Sequence, residues 1–320
     1  MAELFNKDNK GPIEIQRLTG IYHASNEYSV IETEINDAMR TVAMLVGQEV
    51  MNKACELYGA QVEDETGLVA AVQLPVAILA VSRYTKNNLI SHEDNGSKVK
   101  TDGDEKIPFE WMVDRDERAQ RERYYRSMDA LYAFLEGSDL SEWKDSDERK
   151  ALQASVVKSI NEFERIYPVD GSYYVYFMLQ NLVIERQPAL SRMVGAELWA
   201  KILAGGTTDE HDKDKEKVNN LIPLCRRYAV LSAIIQAARR WSLEVFPLSV
   251  ARRFAPSYQG NSRTQVATRE EIEAYIEGLE QQLEDIRLEM AEVLADGKNP
   301  WEGADPMPHN DPRNKFFSAQ

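Results

Sequence analysis

Histidine and cysteine are scarce in this chain, with four of the first and two of the second among 320 residues. His23, His92, His211 and His309 stand far apart, and none lies at zinc-ligand spacing from another histidine or a cysteine. Cys55 and Cys225 are too few for a disulfide framework. Each sits in an apolar stretch, where a buried reduced thiol is the ordinary state and a bridge would need suitable geometry. Phosphate-binding loops, dinucleotide fingerprints, nucleophile elbows and paired zinc histidines are missing as well. His211-Asp212-Lys213-Asp214 has carboxylates enough to attract a cation but lacks the fuller oxygen set and glycine turn of a calcium loop. Acidic neighbours such as Glu270 and Glu271 fit a helix start, where the dipole favours them. These absences predict a protein that is not an enzyme and holds no cofactor or metal. No apolar run approaches the roughly 18 residues that span a bilayer. Met1 opens onto the polar stretch Phe5-Asn6-Lys7-Asp8-Asn9-Lys10 rather than a basic start and apolar core. The expectation is a protein made and kept in a cytoplasm, away from membranes.

Positive charge is also in deficit, with 38 lysines and arginines against 53 acids and a net charge of −15. That balance argues against a surface built to neutralise phosphates. The charge is unevenly distributed. Between Leu221 and Arg263 stand seven arginines (226, 227, 239, 240, 252, 253 and 263) against one acid, Glu244. From Thr268 to Gly297 there are ten acids against Arg269 and Arg287. Such blocks suit head-to-tail contacts between subunits, which need two complementary patches on each copy. They suit pairing within one subunit equally well. Arg226, Arg227, Arg239, Arg240, Arg252 and Arg253, with Glu273 and Glu277, are therefore the candidate interaction residues.

What the chain does have is helical rhythm, and it has it twice. At a separation of 145, Ile21, Tyr22, Tyr28, Val30 and Asn36 meet Ile166, Tyr167, Tyr173, Val175 and Asn181. At 148, Val46, Gly47, Glu49 and Lys53 meet Val194, Gly195, Glu197 and Lys201. Average residue usage gives roughly one identity in such a window. The pattern continues as a second apolar helix (68–90, 218–246) and a long charged third (114–136, 269–296), which reads as a duplicated module. Chance likeness of amphipathic helices is the alternative.

Ile31, Ile35, Ala38, Val42 and Leu45 share one face of the first helix, with Ser25 as a candidate cap. In its counterpart, Asp170-Gly171-Ser172 opens an aromatic-rich helix that Pro188 should kink or break. Leu221, Leu224, Tyr228, Leu231, Ile235, Ala238 and Val245 form the seam of the next helix, with Pro223 in its first turn. Thr268 and Glu271 make a capping box for a coiled-coil-like run, Ile272 to Val293, and Asp114 with Glu117 the corresponding pair in the first copy. The expected fold is mainly α: an extension over 1–20, two similar three-helix modules at 21–136 and 166–297 with long terminal helices, a linking helix at 137–165, and an extended tail at 298–320. Four prolines break that tail, yet it keeps Trp301, Phe316 and Phe317, which suit anchoring in a neighbour's groove or a disordered end.

Ile166-Tyr167-Pro168, the aromatic-rich helix after it and Val194-Gly195-Ala196-Glu197-Leu198-Trp199 resemble the start of small helical head–tail connector (adaptor) proteins of tailed phages and prophages. There a helix and a short P-x-x-G-x-E-L/Y turn precede a second apolar helix and a long third one. The resemblance covers 166–255 best and 21–90 more loosely. Here Pro188 stands seven residues before Gly195, and the first copy has no such proline. The resemblance implies a two-module connector-like chain that is a non-enzymatic virion component. It would form a homo-oligomeric ring beneath the portal, assembled in the host cytoplasm, touching passing DNA only transiently and offering portal, neck and tail proteins a docking surface. A cytoplasmic helical scaffold binding partner helices, or a nucleic-acid binder using Arg226, Arg227, Arg239 and Arg240, are the other readings.

Overall fold

A computed structural model describes residues 3–7, 10–60, 64, 66–88, 91–93, 96–98, 109–207, 209–240, 252–254, 264–266 and 268–295. The protein is mainly α. It divides into two compact units, Met1–Gln153 with Asp170–Phe177 and Ala154–Val169 with Met178–Gln320.

The first unit runs through α1 (Lys10–Thr19), α2 (Tyr28–Val46), α3 (Gln48–Gly59), α4 (Leu68–Asn87), the antiparallel pair β1 (Ser91–Glu93) and β2 (Gly96–Lys98), and α5 (Glu110–Gly137). The short α6 (Ser141–Lys144) and α7 (Asp147–Gln153) follow. α4 packs between α2 and α5. Ile31, Ile35, Ala38 and Val42 are all buried, as their spacing requires, while Leu45 is half-buried. Met128, Leu131 and Leu135 of α5 complete that core. Fully burying one such side chain contributes ~1.5–3 kcal/mol. The described residues of the expected 1–20 extension join the fold: Leu4, Phe5 and Ile15 lie in the same core, and the Gln73 amide donates to the Leu4 carbonyl at 2.7 Å.

The expected linking helix over 137–165 is instead α6, α7 and α8 (Ile160–Glu164). Its backbone between 154 and 157 is satisfied by side chains rather than by a helix. Val156 N–H donates to Gln187 Oε1, the Gln187 and Gln180 amides donate to the Ala154 and Val157 carbonyls, and Arg226 Nε donates to the Val156 carbonyl.

The second unit takes most of α9 (Tyr173–Val194), then α10 (Ala196–Leu203), α11 (Lys215–Arg240), the antiparallel pair β3 (Arg252–Phe254) and β4 (Thr264–Val266), and α12 (Arg269–Leu294). α11 buries Val218, Leu221, Cys225 and Ala229 through Ile235 and packs on α12, which answers with Ile276, Leu279, Ile286 and Met290. Leu224, Tyr228 and Ala238 of the expected seam are only half-buried, and Val245 lies outside the described residues.

Several helix ends differ from expectation. α2 starts after Glu27, two residues beyond Ser25, with no side-chain cap. α5 starts after Phe109, upstream of the Asp114–Glu117 pair, and Glu117 pairs with Lys86 at 2.7 Å instead. Pro188 lies within α9 without ending it, and Pro223 lies well inside α11 because that helix begins at Lys215. The Thr268–Glu271 capping box of α12 forms in both directions, at 3.3 and 2.9 Å. Against the expectation of no membrane-length apolar stretch, α4 and α11 are long and apolar enough by composition, with mean hydropathies of 1.5 and 1.3. Half of the first window and 61% of the second are buried inside the fold, as core helices are.

One order of elements occurs twice: helix, glycine, helix, long apolar helix, two-stranded pair, long charged helix. Gly47 (φ 94°, ψ 143°) and Gly195 (φ 88°, ψ 147°) each close one helix and open the next. Their amides donate to the Ala43 and Ser191 carbonyls, and their carbonyls accept from Met51 and Trp199. Pro75 of α4 and Pro223 of α11 keep the same 148-residue offset as the two glycines.

Candidate interaction surfaces

The arginine block suited contact with another molecule and pairing within one subunit equally well, and three of its members on α11 pair within their own unit. Arg226 reaches Glu162 at 2.9 Å and the Val156 carbonyl at 3.1 Å, so it ties α11 to the 154–162 segment. Arg239 meets Glu280 of α12 at 2.7 Å. Arg240 grips Glu185 of α9 through two bonds, of 2.5 and 2.7 Å, which holds that carboxyl below the usual range. Arg227 is exposed and has no ion-pair partner among the described residues. Arg252 and Arg253 lie in β3, in register with Val266 and Gln265. Glu273 pairs with Arg269 one turn away at 2.6 Å, whereas Glu277 is exposed and makes no ion pair among the described residues. Trp301, Phe316 and Phe317 lie outside the described residues.

The acidic loop weighed as a cation site already has its cation. Lys201 places its ammonium 2.9 Å from Asp212 and 2.8 Å from Asp214, and the two carboxylates raise its pKa. No cluster of metal-ligating side chains occurs among the described residues. Cys55 and Cys225 are free and buried; burial raises the first thiol and pushes the second up to about 12, the reverse of an activated nucleophile. A groove of about 360 Å³ beside Cys55 is lined by Met39, Met51, Arg40 and three side-chain amides, with no acid or histidine.

Sequence reasoning missed the exposed face of α5. Phe109, Trp111 and Met112 are 66%, 58% and 42% exposed, a cluster of large apolar side chains at one helix end. Arg115 and Arg118 follow on the solvent side without an ion-pair partner among the described residues. The spacing of Trp111, Arg115 and Arg118 was the available signal, since it places all three on one stripe opposite Met128 and Leu131. The aromatic-rich start of α9 was legible in the sequence, but its partners on α5 were not: Tyr125 stacks on Tyr174 (5.0 Å) and Tyr132 lies 4.3 Å from Phe177.

No family model, no curated protein and no solved structure matches this chain.

Proposed function

We propose that the chain is a structural virion protein, a head–tail connector or adaptor of a tailed phage or prophage, built from two tandem modules and working as a homo-oligomeric ring below the portal. The observation that carries this reading is the repeated order of elements hinged on Gly47 and Gly195, whose backbone angles agree within a few degrees. The second copy follows the order of the resemblance quoted for Ile166 to Trp199: a helix, a glycine turn, an apolar helix and a long charged helix. On this reading the work is mechanical. The ring offers docking surfaces to portal, neck and tail proteins and lets DNA pass without gripping it, which a net charge of −15 permits.

A cytoplasmic helical scaffold is the second reading. It is favoured by the pairing of Arg226, Arg239 and Arg240 inside their own unit, which takes three basic groups away from a subunit boundary. Native mass spectrometry with negative-stain imaging of the full chain separates the two. A closed ring of many copies supports the connector; a monomer or dimer at every concentration reached supports the scaffold.

A further inference from the structure

Helices α5 and α12 hold the same place in the repeated order of elements, yet their outward faces differ in charge. On α5, Tyr124, Met128, Leu131 and Leu135 are buried, and the opposite stripe reads Trp111, Arg115, Arg118, Glu122 and Arg126. Glu122 and Arg126 pair with each other at 3.7 Å, which leaves Arg115 and Arg118 as the unmatched charges of that stripe among the described residues. On α12, Ile276, Leu279, Ile286 and Met290 are buried, and the opposite stripe reads Glu270, Ala274, Glu277, Gln281, Leu288 and Glu292. Glu270, Glu277 and Glu292 are exposed and make no ion pair among the described residues. Leu288 is 45% exposed and is the large apolar side chain of that stripe.

We infer that the outward face of α5 docks on the outward face of α12 of a second copy of this chain. Trp111 and Leu288 are the large apolar contributions of the two faces, and the positive charge of Arg115 and Arg118 faces the negative charge that Glu270, Glu277 and Glu292 give the other. Scattered exposed apolar side chains are ordinary. A tryptophan flanked by a phenylalanine, a methionine and two unmatched arginines has the composition of an interface centre. Each copy then carries two different, complementary patches, the arrangement that closes into a ring when the rotation between copies permits. Closure rests on the connector reading; the pairing of the two faces does not. Because opposite charges steer the encounter, association weakens as salt rises.

Sedimentation velocity with light scattering tests this on the full chain, in low and high salt. We expect wild type to self-associate at low salt and to dissociate as salt rises. R115E/R118E and E277R/E292R should each run at monomer mass with unchanged helical circular dichroism, and the four changes together should restore assembly. Trp111→Ala, which leaves the charges alone, should weaken association by about tenfold or more. A wild type that stays monomeric throughout overturns this interface and the ring together. A wild type that assembles while both charge variants assemble equally well overturns the interface and leaves the ring reading standing. Retention on DNA that R115E/R118E abolishes without any change in mass assigns the stripe to phosphate and likewise overturns it.

Discussion

Tyr124 carries a buried hydroxyl with no hydrogen-bond partner among the described residues, between Tyr125 and Tyr174 at ring-centroid distances of 6.0 and 6.4 Å. An unpaired buried oxygen costs free energy that the ring does not. Tyr124→Phe should therefore leave the thermal midpoint unchanged or raise it, by up to about 1 kcal/mol of stability. Five residues on, Asp129 accepts from the Ser172 hydroxyl (2.9 Å) and the Tyr174 N–H (2.8 Å), so a carboxylate of α5 holds the start of α9. Burial raises its pKa despite those two bonds. A raised carboxyl binds its proton more readily folded than unfolded, so stability should rise as pH falls through its folded value toward the ordinary carboxylate range and level off below it. Urea unfolding across about pH 4 to 7 should show that slope in wild type and lose it in Asp129→Asn. Gly47 and Gly195 are strained for any other residue: Ala at either position should cost ~1–3 kcal/mol. At Gly195 nothing lies within 4 Å of an added Cβ, so that loss would be backbone strain alone, whereas at Gly47 the Glu148 carboxylate must also shift from 2.9 Å. Both glycines were visible in sequence as part of a Val-Gly-x-Glu identity; the Asp170-Gly171-Ser172 start of α9 was visible too, and there the Ser172 hydroxyl accepts from the Val175 N–H at 3.1 Å.

Legibility at the scale of elements followed how local the cause was. α12 was readable because its capping box and its apolar rhythm from Ile272 to Val293 lie within the helix itself. The 137–165 segment was not, because its backbone partners, Gln180, Gln187 and Arg226, come from α9 and α11, far along the chain. No pattern within that segment announces them. Pro223 misled for the same reason, since an apolar helix held by packing tolerates a proline that an isolated one would not. Gln187→Leu keeps the size of the side chain but orphans the Val156 N–H and the Ala154 carbonyl. It should cost ~2–4 kcal/mol, read as an earlier urea midpoint.

Composition and periodicity were enough at the scale of the whole molecule to give a mainly α chain with separated charge blocks. They could not say which charges meet, because α9 and α12 bring Glu185 and Glu280 to Arg240 and Arg239 from 41 to 55 residues away. With those pairs inside one unit and half exposed, reversing Arg239 and Arg240 to Glu should change the melting temperature little and leave particle mass as in wild type. Light scattering beside thermal melting checks both. The assignment of Asp170–Phe177 to the first unit, with the preceding Ala154–Val169 belonging to the second, bears on how the protein is made. Tyr174 and Phe177 supply rings to the first core, so a nascent chain released only as far as Gln153 leaves the faces of Tyr125 and Tyr132 wet and Asp129 without its two donors. The first half therefore cannot finish folding on the ribosome until the start of α9 has emerged, and a fragment cut at 153 should be stickier and more readily digested than one cut after 177.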